Sequence, residues 1–177
     1  GEGPIRAFLS GNTDFVFIGS VKNVLTHSIM GKGDIRRPED LRGKRIGVGR
    51  IGGNSHYFTQ LAMRQKGLDP LKDANLIQTG GAPETFLALA TGAVDAASIT
   101  TPQDTRAAFQ GFNYVIDGRE IKPPYVATGF VTLRSVIAKR PKVISQFMHM
   151  MAESYKIMVT DRELAFRLMA KKIGLTD

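Results

Sequence analysis

The chain has 177 residues and a mass of 19.3 kDa, the length of one ordinary domain or of two small lobes sharing a cleft. Hydrophobic residues make up 42% and charged residues 23%, the profile of a soluble α/β protein with a real core, and the absence of Cys excludes disulfide scaffolds, Cys-ligated zinc, iron–sulfur centres and thiol nucleophiles. The formal charge of +8 points to nucleic acid, anionic lipid or a small anion as partner. The densest basic stretch, Arg36, Arg37, Arg42, Lys44, Arg45 and Arg50, is broken by Glu39 and Asp40 and carries no interleaved aromatics, which argues against nucleic acid. No apolar run reaches the roughly 20 residues that span a bilayer, and no charged-then-apolar signal opens the chain, so export would require a signal already removed.

Strand-length apolar runs alternate with amphipathic stretches, with Gly or Pro at nearly every junction, which predicts an α/β fold. Phe15 to Ile18 reads as a short buried strand and Val24 to Met30 as an extended segment. Gly31-Lys32-Gly33-Asp34 is a turn, Pro38 to Leu41 one helical turn, and Arg45 to Val48 a strand. Asn54 or Ser55 caps a helix running to about Gln65, which Gly67 ends. Asn75 to Gln78 is a strand, and Pro83 opens a helix over Glu84 to Ala90 that Gly92 ends. Val94 to Ile99 is a strand, Pro102 to Gln110 a helix, and Tyr114 to Ile116 and Tyr125 to Leu133 are extended. Pro141 to about Val159 and Arg162 to Ile173 read as amphipathic helices, and Val143, Phe147, Met150 or Met151, Tyr155 and Met158 stand at helical spacing as a core stripe.

An internal repeat stands out. Ala7 to Ile18 aligns without gaps on Ala88 to Ile99, and both copies read helix end, Gly cap, Asp, buried strand. Each strand then opens into small residues, Gly19-Ser20 in one copy and Thr100-Thr101-Pro102 in the other. Ligands of open α/β sheets sit beyond the carboxyl ends of strands, so the duplication suggests two sheets facing one cleft.

Gly47-Val48-Gly49-Arg50-Ile51-Gly52 fits the G-x-G-x-x-G dinucleotide fingerprint, but the next strand ends in Gln78-Thr79-Gly80, where that fingerprint expects an acidic residue. A simpler reading has Gly52, Gly53, Asn54 and Ser55 present backbone N–H groups and a hydroxyl to a small anion at a helix N-terminus, with Arg50 adding charge. An ordinary Gly-rich turn explains the same residues equally well. His27, His56 and His149 have no partner at metal-ligand spacing, so no metal and no cofactor is expected. Nucleophile elbows, zinc-protease helices and Walker lysines are missing from the sequence, so no catalytic signature is read.

The segment Asp34 to Val48, with Arg37-Pro38-Glu39-Asp40-Leu41-Arg42-Gly43-Lys44 at its centre, resembles the type II periplasmic substrate-binding proteins of ABC importers, in the nitrate/sulfonate/taurine and thiamine-precursor-like group. Further pieces follow in that family's order: Gly52 to Ser55, Lys66 to Pro70, the Gly80-Gly81 loop with Glu84, Ala88 to Ala96, Pro102 and the Gly111 turn. The resemblance implies two α/β lobes joined by crossover strands and closing on a ligand. Val21 to Met30 and Tyr125 to Leu133 would be the crossovers, residues 31–124 the complete second lobe, and residues 1–30 with 125–177 a first lobe missing its opening strands.

The same resemblance implies capture of a small, anionic solute and its delivery to a membrane permease, without chemistry. Expected contacts are Gly52, Gly53, Asn54, Ser55, Thr100, Thr101 and Pro102 from the second lobe and Gly19, Ser20 and Asn23 from the first, with Arg50 and Tyr125 in support. The expected setting is periplasmic or extracytoplasmic, with a membrane anchor allowed, and the expected state is a monomer if the lobe is complete. Two alternatives share the fold: a metabolite-sensing effector domain of a transcriptional regulator, which would follow a DNA-binding helix-turn-helix, and a thiamine-pyrimidine synthase, whose Cys-rich chemistry a Cys-free chain lacks.

Overall fold

A computed structural model describes residues 2–173; the outermost ends of the expected first lobe, residue 1 and residues 174–177, lie outside the described residues. Its elements in chain order are α1 (Glu2–Leu9), β1 (Phe15–Val24), β2 (Ser28–Gly31), a 3-10 turn (Pro38–Leu41), β3 (Lys44–Val48), α2 (Asn54–Gln65), β4 (Ala74–Gln78), α3 (Ala82–Ala90), β5 (Ala96–Ile99), α4 (Gln103–Phe109), β6 (Asn113–Ile116), α5 (Gly118–Ile121), β7 (Pro124–Leu133), α6 (Arg134–Lys139), α7 (Pro141–Thr160) and α8 (Arg162–Ile173).

Two compact units result. The larger holds residues 1–13 and 17–131, the smaller residues 14–16 and 132–177. In the larger unit five strands form a mixed sheet in the order β4-β3-β5-β2-β6. β3 runs parallel to β4 and β5, whereas β2 runs antiparallel to β5 and β6, with Ser28 opposite Ile99. Consecutive strand residues point to opposite faces, which divides the core in two. Ile29, Ile46 and Ala96 pack with Phe58, Ala62 and Met63 of α2 on one face. Met30, Ala97 and Ile99 pack with Phe86 and Leu89 of α3 and Ala107 of α4 on the other. The central strands are buried on both faces, so they read as apolar runs without alternation.

The repeat is present in the backbone. Gly11 at φ +100° ends α1 and Gly92 at φ +77° ends α3, and an Asp precedes the strand in each case. Both carboxylates then anchor a distant segment: Asp14 accepts the backbone N–H and hydroxyl of Ser135 at 3.1 and 2.6 Å, and Asp95 accepts the backbone N–H of Arg45 at 3.1 Å. The copies diverge after the strand. β1 continues to Val24 by pairing with β7, so Gly19 and Ser20 lie in a strand and not in the loop that the sequence suggests, and Asn23 lies in the same strand.

In the smaller unit α7 has no fully buried residue. Phe147, Met151 and Tyr155 are half-buried, but Val143, Met150 and Met158 are 55%, 52% and 52% exposed. The expected core stripe is therefore only partly a core: among the described residues of this unit α7 packs chiefly on α6 and α8. α5 and α6 are short helices that the β-branched, Pro-flanked sequence around them concealed.

Candidate functional site

The parallel strands β4, β3 and β5 all end on the same edge of the sheet, and β2 begins beside the end of β5. This is the position where strand order and direction switch, and it leaves a crevice between the loops that follow the strands. Residues from those loops line a cavity of about 50 Å³: Gly49 after β3, Ala82 and Thr85 at the start of α3, Ile99 and Thr100 at the end of β5, Ser98 within it, Ser55 of α2, and His27 just before β2. The volume suits the head of a small solute or a water or two.

The loop from Gly49 to Gly53 is shaped by hydrogen bonds. The N–H of Gly49 donates to Ser55 Oγ at 2.9 Å, and the N–H of Gly80 donates to the carbonyl of Gly49 at 2.9 Å. A Cβ at Gly49 would stand 2.8 Å from the Gly80 carbonyl oxygen, so glycine is needed for this close approach. Gln78, where a dinucleotide site would carry an acid, instead accepts the N–H of Ile51 through Oε1 at 3.0 Å and braces the loop. The helix cap also differs from expectation. Gly53 in extended conformation occupies the N-cap of α2 with no side-chain cap, which puts Asn54 and Ser55 inside the first turn. Ser55 Oγ accepts from Gly49, and Asn54 Oδ1 is buried without a hydrogen-bond partner.

His27 gives the cavity its polar wall. Its ring stacks on Phe58 with centroids 5.8 Å apart, and its Nδ1 is buried without a partner. Burial, and after it the charge of Lys22, lowers its pKa to about 4, so the imidazole is neutral at pH 7 despite the opposing pull of Asp104. Thr85 donates to the Gly81 carbonyl at 2.8 Å and stands 2.7 Å from the Thr79 hydroxyl, while Ser98 donates to the Ser55 carbonyl at 3.3 Å. Ser55 receives a donor and keeps its own proton to give.

Of the residues expected from sequence, Ser55 and Thr100 meet in this cavity. Gly52 and Tyr125 line a separate pocket of about 260 Å³ with Arg6 of α1 and His56, Tyr57 and Gln60 of α2. Gly53 is buried in the cap, whereas Arg50, Thr101 and Pro102 are exposed and line neither space. Among the first-lobe residues Gly19 and Ser20 are half-buried and Asn23 is exposed; Ser20 Oγ lies 2.5 Å from the Lys22 carbonyl and 2.8 Å from that of Ala127, and so ties β1 to β7. Sequence reasoning missed His27, Thr85 and Ser98. The polar Ser98 inside an otherwise apolar run was a signal; His27 carried none, because its role depends on strand β2 lying beside β5.

A family description, NMT1/THI5 like, matches residues 9–165. The chain belongs to the NMT1/THI5-like family. Solved structures agree with the fold. The periplasmic aliphatic sulphonate binding protein SsuA from Escherichia coli is similar at 25% identity and a TM-score of 0.78 over 98% of this chain and 59% of that one. The alkanesulfonate-binding protein SsuA from Xanthomonas axonopodis pv. citri, bound to MOPS, is similar at 23% identity and a TM-score of 0.80 with the same coverage. A DszB mutant in complex with biphenyl-2-sulfinic acid shares the fold at 15% identity and a TM-score of 0.70, over 95% of this chain and 63% of its own. The NMT1/THI5-like chain thus has the periplasmic-binding-protein type II fold and spans about three-fifths of the length of these SsuA structures. No curated protein matches it.

Proposed function

We propose that this chain acts in the solute-binding component of an ABC import system and holds the anionic head of a small solute in the cavity at the carboxyl ends of β3 and β5. The observation that carries the reading is the grouping of Ser55, Thr100, Ser98 and a neutral His27 around one small cavity beside the first turn of α2. A hydroxyl with a proton to give and the partial positive charge of a helix N-terminus favour an anion there. SsuA, the similar protein with 25% identity, is a sulphonate binder, which makes sulfonates the first ligands to test.

In this reading residues 31–124 form the lobe that carries the cavity, and Val21 to Met30 with Tyr125 to Leu133 are the crossovers. The protein works outside the cytoplasm, as a monomer if its first lobe is complete, passes its solute to a membrane permease, binds no nucleic acid and performs no chemistry. Among the described residues no helix is long and apolar enough to cross a membrane. The similar SsuA structures are named as sulfonate-binding proteins, which supports the binding-protein reading over the regulator alternative.

The test is isothermal titration of the purified chain with ethanesulfonate, taurine, nitrate and acetate. Saturable binding of at least one anion, weakened about tenfold by Ser55→Ala in a chain that stays folded, is the expected result. Heat that is absent for every anion, or binding indifferent to both Ser55→Ala and Thr100→Val, overturns the proposal.

A further inference from the structure

His27 stands in the cavity wall with a ring nitrogen that no group among the described residues answers. The backbone fixes the residue: its carbonyl lies against Gly118, where there is no room for a Cβ, and Ser28 beside it pairs with Ile99 of β5. Phe58 covers the ring with centroids 5.8 Å apart, and Nδ1 is enclosed without a hydrogen-bond partner. A buried polar atom in that state is rare, because it forfeits the bond it would make to water. The other polar side chains of the cavity, Ser55, Ser98, Thr85 and Thr100, are neutral hydroxyls.

The charges that act on His27 oppose one another. Lys22 of β1 disfavours a proton on the ring, whereas the buried Asp104 of α4 favours one. Further charged groups on the neighbouring elements are engaged elsewhere: Asp117 and Arg119 at α5 pair with each other, and the Glu84 carboxylate of α3 lies by Gly81. His56 of α2 lines the second pocket. Burial therefore decides, and the pKa of His27 is lowered to about 4. A small anion beside the ring reverses that balance, since it brings both a counter-charge and an acceptor for a proton on Nδ1.

We propose that the cavity takes up its anion together with one proton, held on His27, so that the solute is bound as the equivalent of an acid. The inference rests on the import reading and adds the rule by which pH sets its strength. The proton comes from solvent and goes to Nδ1, and an oxygen of the anion accepts its hydrogen bond. Linkage is reciprocal: an anion that favours the protonated ring is itself favoured by protons. An anion that restores the ring to its ordinary pKa of about 6.5 binds about tenfold more tightly at pH 5.5 than at pH 7.5. Anions of strong acids, such as sulfonates and nitrate, keep their charge over that range and gain the whole effect, whereas a carboxylate begins to be neutralised at its acid end.

Calorimetry of the whole chain with ethanesulfonate and with nitrate, in buffers of different ionisation enthalpy, counts the protons taken up on binding. About half a proton at pH 6.5 and nearly one at pH 5.5 are expected, beside the tenfold rise in affinity. NMR titration of the His27 ring needs no variant: saturating ethanesulfonate moves its midpoint from about 4 to about 6.5 or higher. His27→Gln abolishes proton uptake and makes the affinity independent of pH, and His56→Gln keeps both effects. Binding without proton uptake at pH 5.5, an unmoved His27 midpoint, or a pH slope lost in His56→Gln but kept in His27→Gln overturns the inference and leaves the import reading standing. Absence of binding of either anion at every pH removes the import reading and this inference with it.

Discussion

Asp95 closes the second copy of the repeat and joins three parts of the larger unit. Its carboxylate receives Lys32 Nζ at 2.6 Å, Arg45 Nε at 3.0 Å, Arg45 Nη2 at 3.1 Å and the backbone N–H of Arg45 at 3.1 Å. The Asp95 side chain is 13% exposed, but those of Lys32 and Arg45 are 41% and 45% exposed, so solvent screens the ion pairs. Asp95→Asn keeps an acceptor for the backbone N–H and removes only the charge. Two screened pairs, each worth up to about 1 kcal/mol, put its cost at about 1.5 kcal/mol. Asp95→Ala also leaves the Arg45 N–H without its acceptor and brings the total to about 3 kcal/mol.

Urea unfolding at constant m value measures both variants. The hydrogen bonds from Arg45, then those from Lys32, hold the Asp95 carboxyl well below the usual carboxylate range. A depressed carboxylate stabilises the fold above its unfolded pKa of about 3.9, and that stabilisation is lost as pH falls from there towards the folded value. The difference between wild type and Asp95→Asn is therefore constant from pH 8 to about pH 5 and narrows below about pH 4. A difference under about 0.5 kcal/mol at pH 7, or one that does not narrow in acid, refutes the reasoning.

Two further outcomes follow from the walls of the cavity. Gly118→Ala puts a Cβ 1.6 Å from the carbonyl oxygen of His27, so the backbone before β2 must move; a loss of at least about 3 kcal/mol is expected in urea unfolding, and wild-type stability would show that the contact is not there. His27 has a folded pKa lowered to about 4, below the ordinary value, so the unfolded chain binds its proton first and stability falls as pH drops from about 7 to about 4. His27→Gln flattens that slope; an NMR titration of the His27 ring with a midpoint near 6.5 would contradict the burial argument.

The sequence alone determined the local grammar of this protein. Pro38 to Leu41, the strand before Gly49, the helix after Gly53 and the Gly-capped end at Gly92 were legible because each depends on residues within one turn of itself. The repeat was legible too, since both copies encode the same glycine conformation and the same anchoring carboxylate. Ser55 could be singled out because it follows a Gly-rich loop at a helix N-terminus and Thr100 because it directly follows a strand-length apolar run, and the structure places both in one cavity.

Tertiary structure decided the rest. His27 enters the cavity only because β2 runs antiparallel beside β5, a pairing of residues some seventy positions apart that no local pattern announces. Gly19 and Ser20 became strand residues because β7 extends β1, and the distant partner outweighed the local glycine signal. Arg6 and Tyr125 come together at Gly52 from opposite ends of the larger unit. Helix and turn chemistry is short-range and so is written in neighbouring residues, whereas strand order and pocket walls depend on hydrophobic burial, which acts without direction and is settled only when the whole sheet is assembled.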